Sequence, residues 1–188
     1  MFYYGFIVFC VLILSLTGAI FVAPIYDLSW WYFPLFVVIS VVAVIVVDGI
    51  FAFIVRWLLP KKWFNSPKKF FSAGKKEARF YEKLGIKKWK DRIPEFGGFT
   101  SFSKSKIFDP KNNEYVIRYI TEANYGVMVH ITGMVFGFLI IFILPKFWYL
   151  VGLPVAVINL IYNALSLVIL RYNLPKLHVL YKFNSKKR

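Results

Sequence analysis

Apolar residues occur in four long runs that are separated by shorter polar stretches. The first run covers Phe2 to Val22 and the second about Tyr32 to Leu59, whereas the third and fourth cover roughly Tyr125 to Leu144 and Leu150 to Leu170. A run of about 20 apolar residues has the length at which a helix crosses the hydrocarbon core of a bilayer. The pattern therefore predicts an all-α integral membrane protein with four transmembrane helices arranged as two hairpins.

The polar stretch between the second and third runs divides the chain into four segments. We predict a first transmembrane hairpin at 1–60, a basic loop with interfacial amphipathic helices at 61–121, a second hairpin at 122–171 and a basic tail at 172–188. A cleaved signal peptide is the alternative for the first run, although the positively charged start that such a peptide needs is missing.

The loop changes its pattern along its length. Pro67 is expected to open an amphipathic helix that lies on the bilayer and ends at Gly85. The residues from Phe99 to Ile107 alternate aromatic and polar side chains, which indicates a short extended segment. A further helix should begin at Glu114 and continue without a break into the third span. The fourth span should stop at Arg171, and the tail after it should lie along the membrane surface.

Positive charge is concentrated in the loop and the tail. The net charge is +15, and 17 of the 24 lysine and arginine residues fall between Arg56 and Arg118, with six more between Arg171 and Arg188. The positive-inside rule then predicts a multi-pass protein of the cell membrane with both termini and the loop in the cytoplasm. We expect the loop to bind membrane lipids through anionic headgroups or phosphates. Nucleic acid is not expected, because the apolar runs leave little room for a soluble body.

The composition also limits the chemistry. The chain has 59% hydrophobic residues and a mean hydropathy of +0.62, which is outside the usual range of a soluble domain. One cysteine and two histidines cannot build a disulfide framework or a Cys/His metal cluster. We therefore expect no metal and no bound cofactor, and the oligomeric state stays open.

Three polar residues fall inside the predicted spans. Asp48 and Asn163 each lie eight residues before a terminal arginine, and His130 lies about five residues into its span. At 1.5 Å of rise per residue, these positions are about 12, 12 and 8 Å deep, which predicts one polar layer beneath the loop. An ionisable group in a spanning helix costs roughly 2.5 to 3.5 kcal/mol, so such residues are candidates for function. Hydrogen bonds between helices are the alternative explanation.

Small residues accompany the histidine along the third span. Gly126, His130, Gly133 and Gly137 recur at spacings of four, three and four, and so form one stripe of a helix. Such a stripe lets another helix approach closely, so His130 should face the bundle. Glu122 lies two turns earlier, rotated by about 80° from His130, and should lie at the cytoplasmic rim.

A histidine near the membrane surface, beside an acid and beneath many lysines, suits general-base transfer of an acyl group to a hydroxyl of a lipid-like acceptor. The cations would hold the phosphates of the co-substrate, an acyl-CoA or another acyl thioester. A noncatalytic membrane scaffold or partner subunit that binds anionic lipids is one alternative. A small lipid transporter is another, but the outer halves of the spans show no polar path.

Short motifs occur between about Phe70 and Leu177. They are Phe80-Tyr81-x-Lys83, Lys88-Trp89-Lys90-x-x-Ile93, Glu122 with seven intervening residues before His130, Asn163, and Arg171-Tyr172-Asn173-x-Pro175-x-Leu177. Together they resemble the motifs of small membrane acyltransferases of carotenoid biosynthesis, the family named for glycosyl-diaponeurosporenoate acyltransferase. The closing motif is the most specific, and the first two spans are similar only in hydrophobic character.

The resemblance implies that the protein esterifies a hydroxyl of a glycolipid or glycosylated isoprenoid, of the carotenoid kind, with a fatty acyl chain. It implies a catalytic pair formed by His130 and Glu122. It also implies that Trp89, Lys90, Asn163, Arg171, Asn173 and Pro175 shape the site. Together with Asp48 and Asp91, which the resemblance does not supply, these are the residues that we expect to bind substrate. The chain departs from the family in a Lys-Asp-x-x-Pro-Glu arrangement that ends at Pro94 and Glu95, and in a longer N-terminal membrane region.

Overall fold

The computed structural model describes residues 2–93 and 107–186, with side chains from residue 9 onward. Within these ranges all regular structure is helical, as predicted. The α-helices are α1 (Phe2–Thr17), α2 (Tyr32–Phe53), α3 (Lys75–Lys83), α4 (Ile86–Trp89), α5 (Asn113–Phe136) and α6 (Leu153–Ser185). Short 3-10 and π segments extend or connect them.

Three helical stretches of the described chain are long and apolar enough to cross a membrane. They are Tyr32–Leu58, Asn113–Phe142 and Pro145–Ser185, and a shorter apolar helix covers Phe9–Val22. Large apolar side chains such as Ile45 and Phe142 are exposed on these helices, which suits contact with lipid. The chain is therefore a helical membrane protein, while the fourth span and the hairpin arrangement stay predictions.

The helix of the loop begins later than predicted. Pro67 does not open it, because α3 starts at Lys75 after Gly74, whose N–H donates to Glu77 Oε2 at 3.4 Å. The preceding residues are instead held by tertiary contacts, including a hydrogen bond of 2.8 Å from the Ala73 N–H to the Arg171 carbonyl. The predicted end at Gly85 is confirmed by the left-handed backbone of that residue, with φ of 71°.

The long helices differ in how well the sequence predicted them. The helix predicted to begin near Glu114 is confirmed, since α5 continues without a break from Asn113 to Phe136. Asn112 Oδ1 caps its start by accepting from the Glu114 N–H at 3.0 Å. The chain stays helical beyond Arg171, since α6 continues through Pro175 to Ser185, while the end of the fourth span at Arg171 stays a prediction. Pro175 removes one backbone donor, but its neighbours Leu174 and Leu177 are buried in a core cluster that holds the helix in place.

The described residues form two compact units, each with its own core. The first unit consists of Met1–Phe53 and Thr132–Asn163, and the second of Ile54–Ile131 and Ala164–Arg188. The predicted extended segment from Phe99 lies outside the described residues apart from Ile107, as do Pro94 and Glu95.

The two cores have different compositions. In the first unit, Phe33, Val37 and Phe147 are buried around Ala23. The added Cβ of an alanine at Gly18 would collide with the Phe33 ring, so a glycine is needed where the chain passes this ring. In the second unit, the largest cluster of buried residues comprises Val55, Phe64, Phe71, Val116, Ile120, Ala123, Tyr125, Val127, Leu174 and Leu177. This cluster joins the start of the loop to α5 and α6.

Candidate functional site

A polar cluster in the first unit is centred on Asp48. Asn159 Nδ2 donates to Asp48 Oδ1 at 3.4 Å, and Asn163 Nδ2 donates to Asp48 Oδ2 at 3.2 Å. Asn163 Nδ2 also reaches Asn159 Oδ1 at 3.0 Å, and Asn159 Nδ2 reaches the Gly133 carbonyl at 3.3 Å. The carboxylate thus receives one amide donor on each oxygen, and the structure brings Asp48 and Asn163 together as predicted.

Two glycines make room for this cluster. A Cβ at Gly133 would lie 2.9 Å from Asn163 Oδ1, and a Cβ at Gly137 would collide with Asn159 Nδ2. The asparagine side chains therefore occupy space that any larger residue on α5 or on its 3-10 continuation would take. The glycine stripe predicted from the sequence has this function at Gly133 and Gly137.

A basic cavity of about 410 Å³ lies in the second unit. Its lining residues are Arg56, Trp57, Lys61, Asn65, Arg118, Thr121, Glu122 and Tyr125. Arg56 Nη2 donates to both Glu122 oxygens, at 2.9 and 2.7 Å, and the guanidinium lies 5.5 Å from the centre of the Tyr125 ring. Among the described residues, Lys61 and Arg118 form no salt bridge. The lining therefore carries two more positive than negative charges.

Helical periodicity places half of the cavity lining on α5. Arg118, Thr121, Glu122 and Tyr125 follow one another at spacings of three, one and three, which is one face of a helix. The Thr121 hydroxyl donates to the Ile117 carbonyl at 2.8 Å, so its proton is already used within the helix. The other half comes from the π-helical end of the second span and from the short segment that follows it.

Asn124 holds that following segment in place. Its side chain is fully buried, and Nδ2 donates to the carbonyls of Phe64 and Ser66 at 2.8 and 3.1 Å. Phe64 stacks on Tyr125 with ring centres 4.1 Å apart. Asn65 therefore faces the cavity between two residues that α5 anchors directly.

His130 lies on α5, eight residues after Glu122, and is half-buried. Eight residues of α-helix span about 12 Å, and both Glu122 oxygens are occupied by Arg56. Glu122 therefore contacts Arg56 in this structure. Glu122 and His130 share α5, and their action as a catalytic pair stays a prediction. The placement of His130 beside Asp48 and Asn163 stays a prediction.

Arg171 joins α6 to the loop. Its Nε and Nη2 donate to Glu77 Oε1 and Oε2 at 2.7 and 2.8 Å, and it also donates to the carbonyls of Phe70 and Ser72. This arginine lowers the pKa of Glu77 to about 2, with help from the Tyr81 hydroxyl. Burial, together with the hydrogen bond to Glu77, raises the pKa of Tyr81 to about 12. Arg171, which we predicted to bind substrate, thus holds Glu77 and the carbonyls of Phe70 and Ser72 in this structure.

The remaining predicted binding residues lie nearby on the loop and α6. Trp89 Nε1 donates to the Leu84 carbonyl at 3.1 Å, and Lys90 Nζ donates to Asp91 Oδ1 at 3.1 Å. Asn173 and Pro175 lie on α6 and are half-buried. Their part in binding substrate stays a prediction.

Sequence reasoning missed several residues of these sites. They are Arg56, Lys61, Arg118, Asn124, Asn159 and Glu77. Asn159 could have been found, because it precedes Asn163 by one helical turn in an apolar span. The three cations of the cavity could not have been found in this way, since they are three of the 17 lysines and arginines between Arg56 and Arg118. The described residues contain no group of three His, Cys, Asp or Glu that could hold a metal ion.

These features define an all-helical membrane protein with a polar cluster among apolar helices and a basic cavity in a separate unit. A family model described as glycosyl-4,4'-diaponeurosporenoate acyltransferase matches residues 60–182, well over half of the chain. The chain belongs to this family of carotenoid biosynthesis and is accordingly an acyltransferase. The match includes His130, Asn163 and most of the basic cavity, but not Asp48 or Arg56. No curated protein and no solved structure matches the chain.

Proposed function

We propose that the protein moves a fatty acyl group from a thioester onto a hydroxyl of a glycolipid or glycosylated isoprenoid, of the carotenoid kind, at the cytoplasmic leaflet of the cell membrane. The observation that carries the proposal is the family match over α5, the helix that holds both His130 and the cavity residue Glu122. The topology we propose has four spans in two hairpins, with both termini in the cytoplasm.

His130 is the general base of the proposed reaction. Its imidazole removes the proton of the acceptor hydroxyl as the oxygen attacks the thioester carbonyl. The tetrahedral intermediate collapses with cleavage of the carbon–sulfur bond, and the imidazolium returns its proton to the departing thiolate. The products are the carboxylic ester and a free thiol, and no oxidant or cofactor is consumed.

Glu122 acts in this proposal as a positioning residue. Both of its oxygens hold Arg56, so the carboxylate fixes a guanidinium in the cavity and does not remove a proton. The variant Glu122→Gln should therefore lower the rate of transfer without shifting the pH dependence of that rate. Loss of a carboxylate in direct contact with His130 would shift the pH profile, because a neighbouring carboxylate stabilises the protonated form of an imidazole.

The Asp48 cluster is proposed to bind hydroxyl groups of the acceptor's sugar. Each carboxylate oxygen accepts one amide N–H from Asn159 or Asn163, which leaves lone pairs that can accept a sugar hydroxyl. Asp48→Asn should accordingly raise the KM for the glycosylated acceptor. An unchanged KM would mean that the cluster only holds helices together and does not bind the acceptor.

The test of the reaction uses the purified full-length protein in lipid vesicles, with a labelled fatty acyl-CoA and a glycosylated carotenoid. Removal of a general base slows a reaction by about 10²- to 10⁴-fold, so His130→Gln should lose product by that factor. His178→Gln changes the other histidine of the chain and is the matched control. Transfer at the wild-type rate by the His130 variant would exclude the proposed base.

The topology needs a separate measurement. Single cysteines would be introduced at Leu28, Lys146 and Lys76 in a chain in which Cys10 is replaced by alanine. A membrane-impermeant thiol reagent applied to intact cells should label positions 28 and 146, which lie in the predicted outer turns. Labelling at position 76 from outside would reverse the proposed orientation.

A further inference from the structure

We propose that the basic cavity binds the phosphate groups of a phosphopantetheine-type acyl donor, such as a coenzyme A thioester. This inference rests on the proposed acyl transfer and adds the residues that hold the donor. The residues concerned are Lys61 and Arg118, which form no ion pair among the described residues, together with Arg56, which Glu122 holds in the cavity wall.

The charge of the cavity fits a diphosphate. Three cations and one carboxylate line the cavity, which leaves an excess of two positive charges. The diphosphate link of coenzyme A carries two negative charges, whereas the headgroup of phosphatidylglycerol carries one. Arginine and lysine together provide forked and single donors for phosphate oxygens. The Asn65 side chain adds a neutral amide to the same wall.

The shape of the cavity also distinguishes these cations from the other basic residues of the loop. Arg56 comes from the end of the second span, Lys61 from the short segment that follows it, and Arg118 from α5, so cations of separate segments converge on one concavity. The volume of about 410 Å³ is in the range of small-molecule sites. By contrast, Lys75 and Lys76 are exposed on α3, where a flat lipid surface could contact them.

The position of the cavity along α5 favours a donor whose phosphate is far from its acyl group. Arg118 precedes His130 by twelve residues of continuous helix, which is a rise of about 18 Å. A pantetheine arm is a long chain that separates the phosphates from the thioester, so it can span such a distance. An acyl phosphate has its phosphate bonded directly to the acyl group and cannot occupy both places.

The experiment measures binding of coenzyme A itself to the full-length protein in vesicles of phosphatidylcholine, without turnover. Each charge-assisted hydrogen bond to phosphate contributes enough that Lys61→Gln and Arg118→Gln should each weaken binding by about tenfold. Lys76→Gln and Arg79→Gln remove the same charges from the exposed face of α3 and should leave the affinity unchanged. Inorganic pyrophosphate should compete with coenzyme A, and pantetheine, which lacks phosphate, should not.

A second arm tests the lipid headgroup as the source of phosphate. Vesicles that contain phosphatidylglycerol would replace those of phosphatidylcholine, and the phosphatidylglycerol that stays with the purified protein would be measured. If Arg118→Gln loses this lipid while coenzyme A binds equally to all variants, the cavity is a headgroup site and the proposal is overturned. Equal loss of affinity in the cavity variants and in the α3 controls would also overturn it, because the effect would then be one of net charge.

The failure of this inference can be told apart from failure of the proposed reaction. If coenzyme A binding depends on Lys61 and Arg118 but no acyl product forms, the donor site stands and the proposed reaction fails. If product forms with unchanged KM for the donor in the Lys61 and Arg118 variants, the reaction stands and the donor site fails.

Discussion

The contact between Arg171 and Glu77 offers the sharpest test of how the loop is held. Arg171→Gln removes two charge-assisted bonds of 2.7 and 2.8 Å to the Glu77 carboxylate, and also the donors to two loop carbonyls. Bonds to charged groups contribute about 1.5 to 3 kcal/mol each when well shielded. The side chains are 19% and 30% exposed, so water replaces part of the loss, and we expect a decrease of about 2 kcal/mol in the free energy of unfolding.

Thermal unfolding in detergent measures this effect. For a chain of this size, about 2 kcal/mol corresponds to a decrease in Tm of about 4 to 8 °C. The double variant with Glu77→Gln should be less destabilised than the sum of the two single variants, because both remove the same interaction. Glu82→Gln is the control, because it removes the charge that pairs with the exposed Lys87 and keeps a side-chain oxygen that can accept from the Tyr172 hydroxyl; we expect a much smaller change in Tm.

An additive double variant would refute the reasoning, since it would mean that the two side chains do not stabilise each other. A decrease in Tm for Glu82→Gln as large as that for Glu77→Gln would refute it as well. In that case, any lost carboxylate on α3 would destabilise the protein, and the two bonds to Arg171 would have no special part.

Three further predictions follow from other contacts. Folding lowers the pKa of Glu77 from 4.5 to about 2, so its contribution to stability should be complete above pH 4.5 and be lost as the pH falls through about 2. The difference in Tm between wild type and Glu77→Gln should therefore vanish in strong acid. Gly133→Ala should cost about 1 to 3 kcal/mol by forcing Asn163 from its bonds, whereas Gly49→Ala, with open space around its Cβ, should not lower the Tm. Asn124→Leu should cost about 1 to 3 kcal/mol in thermal unfolding by leaving two loop carbonyls without donors, and wild-type stability would contradict the anchoring role.

The polar layer shows how far a sequence can predict a site in a membrane protein. Asp48 and Asn163 are candidates from the sequence alone because a polar group in an apolar span costs free energy, and this cost depends only on the residue type and the surrounding lipid. The structure joins the two as expected. It adds Asn159, which lies one turn from Asn163 and provides a second amide to the same carboxylate.

The motif at Arg171 shows the opposite case. Its sequence resemblance was specific enough to predict the family, and the family match confirms it. What the sequence did not show is the ion pair with Glu77, which offsets part of the cost of a charged residue where α6 continues past Arg171. The partner comes from a residue 94 positions earlier in the chain, which no local pattern reveals.

Length and hydropathy by themselves determined that this protein is helical and enters a membrane, since a bilayer accepts little else from such apolar runs. Short motifs determined its family. Only the tertiary structure decided which of the many loop cations form a cavity and which acid holds which arginine. The sequence does not distinguish one lysine or arginine of the loop from another. Their roles depend on contacts between segments that are far apart along the chain.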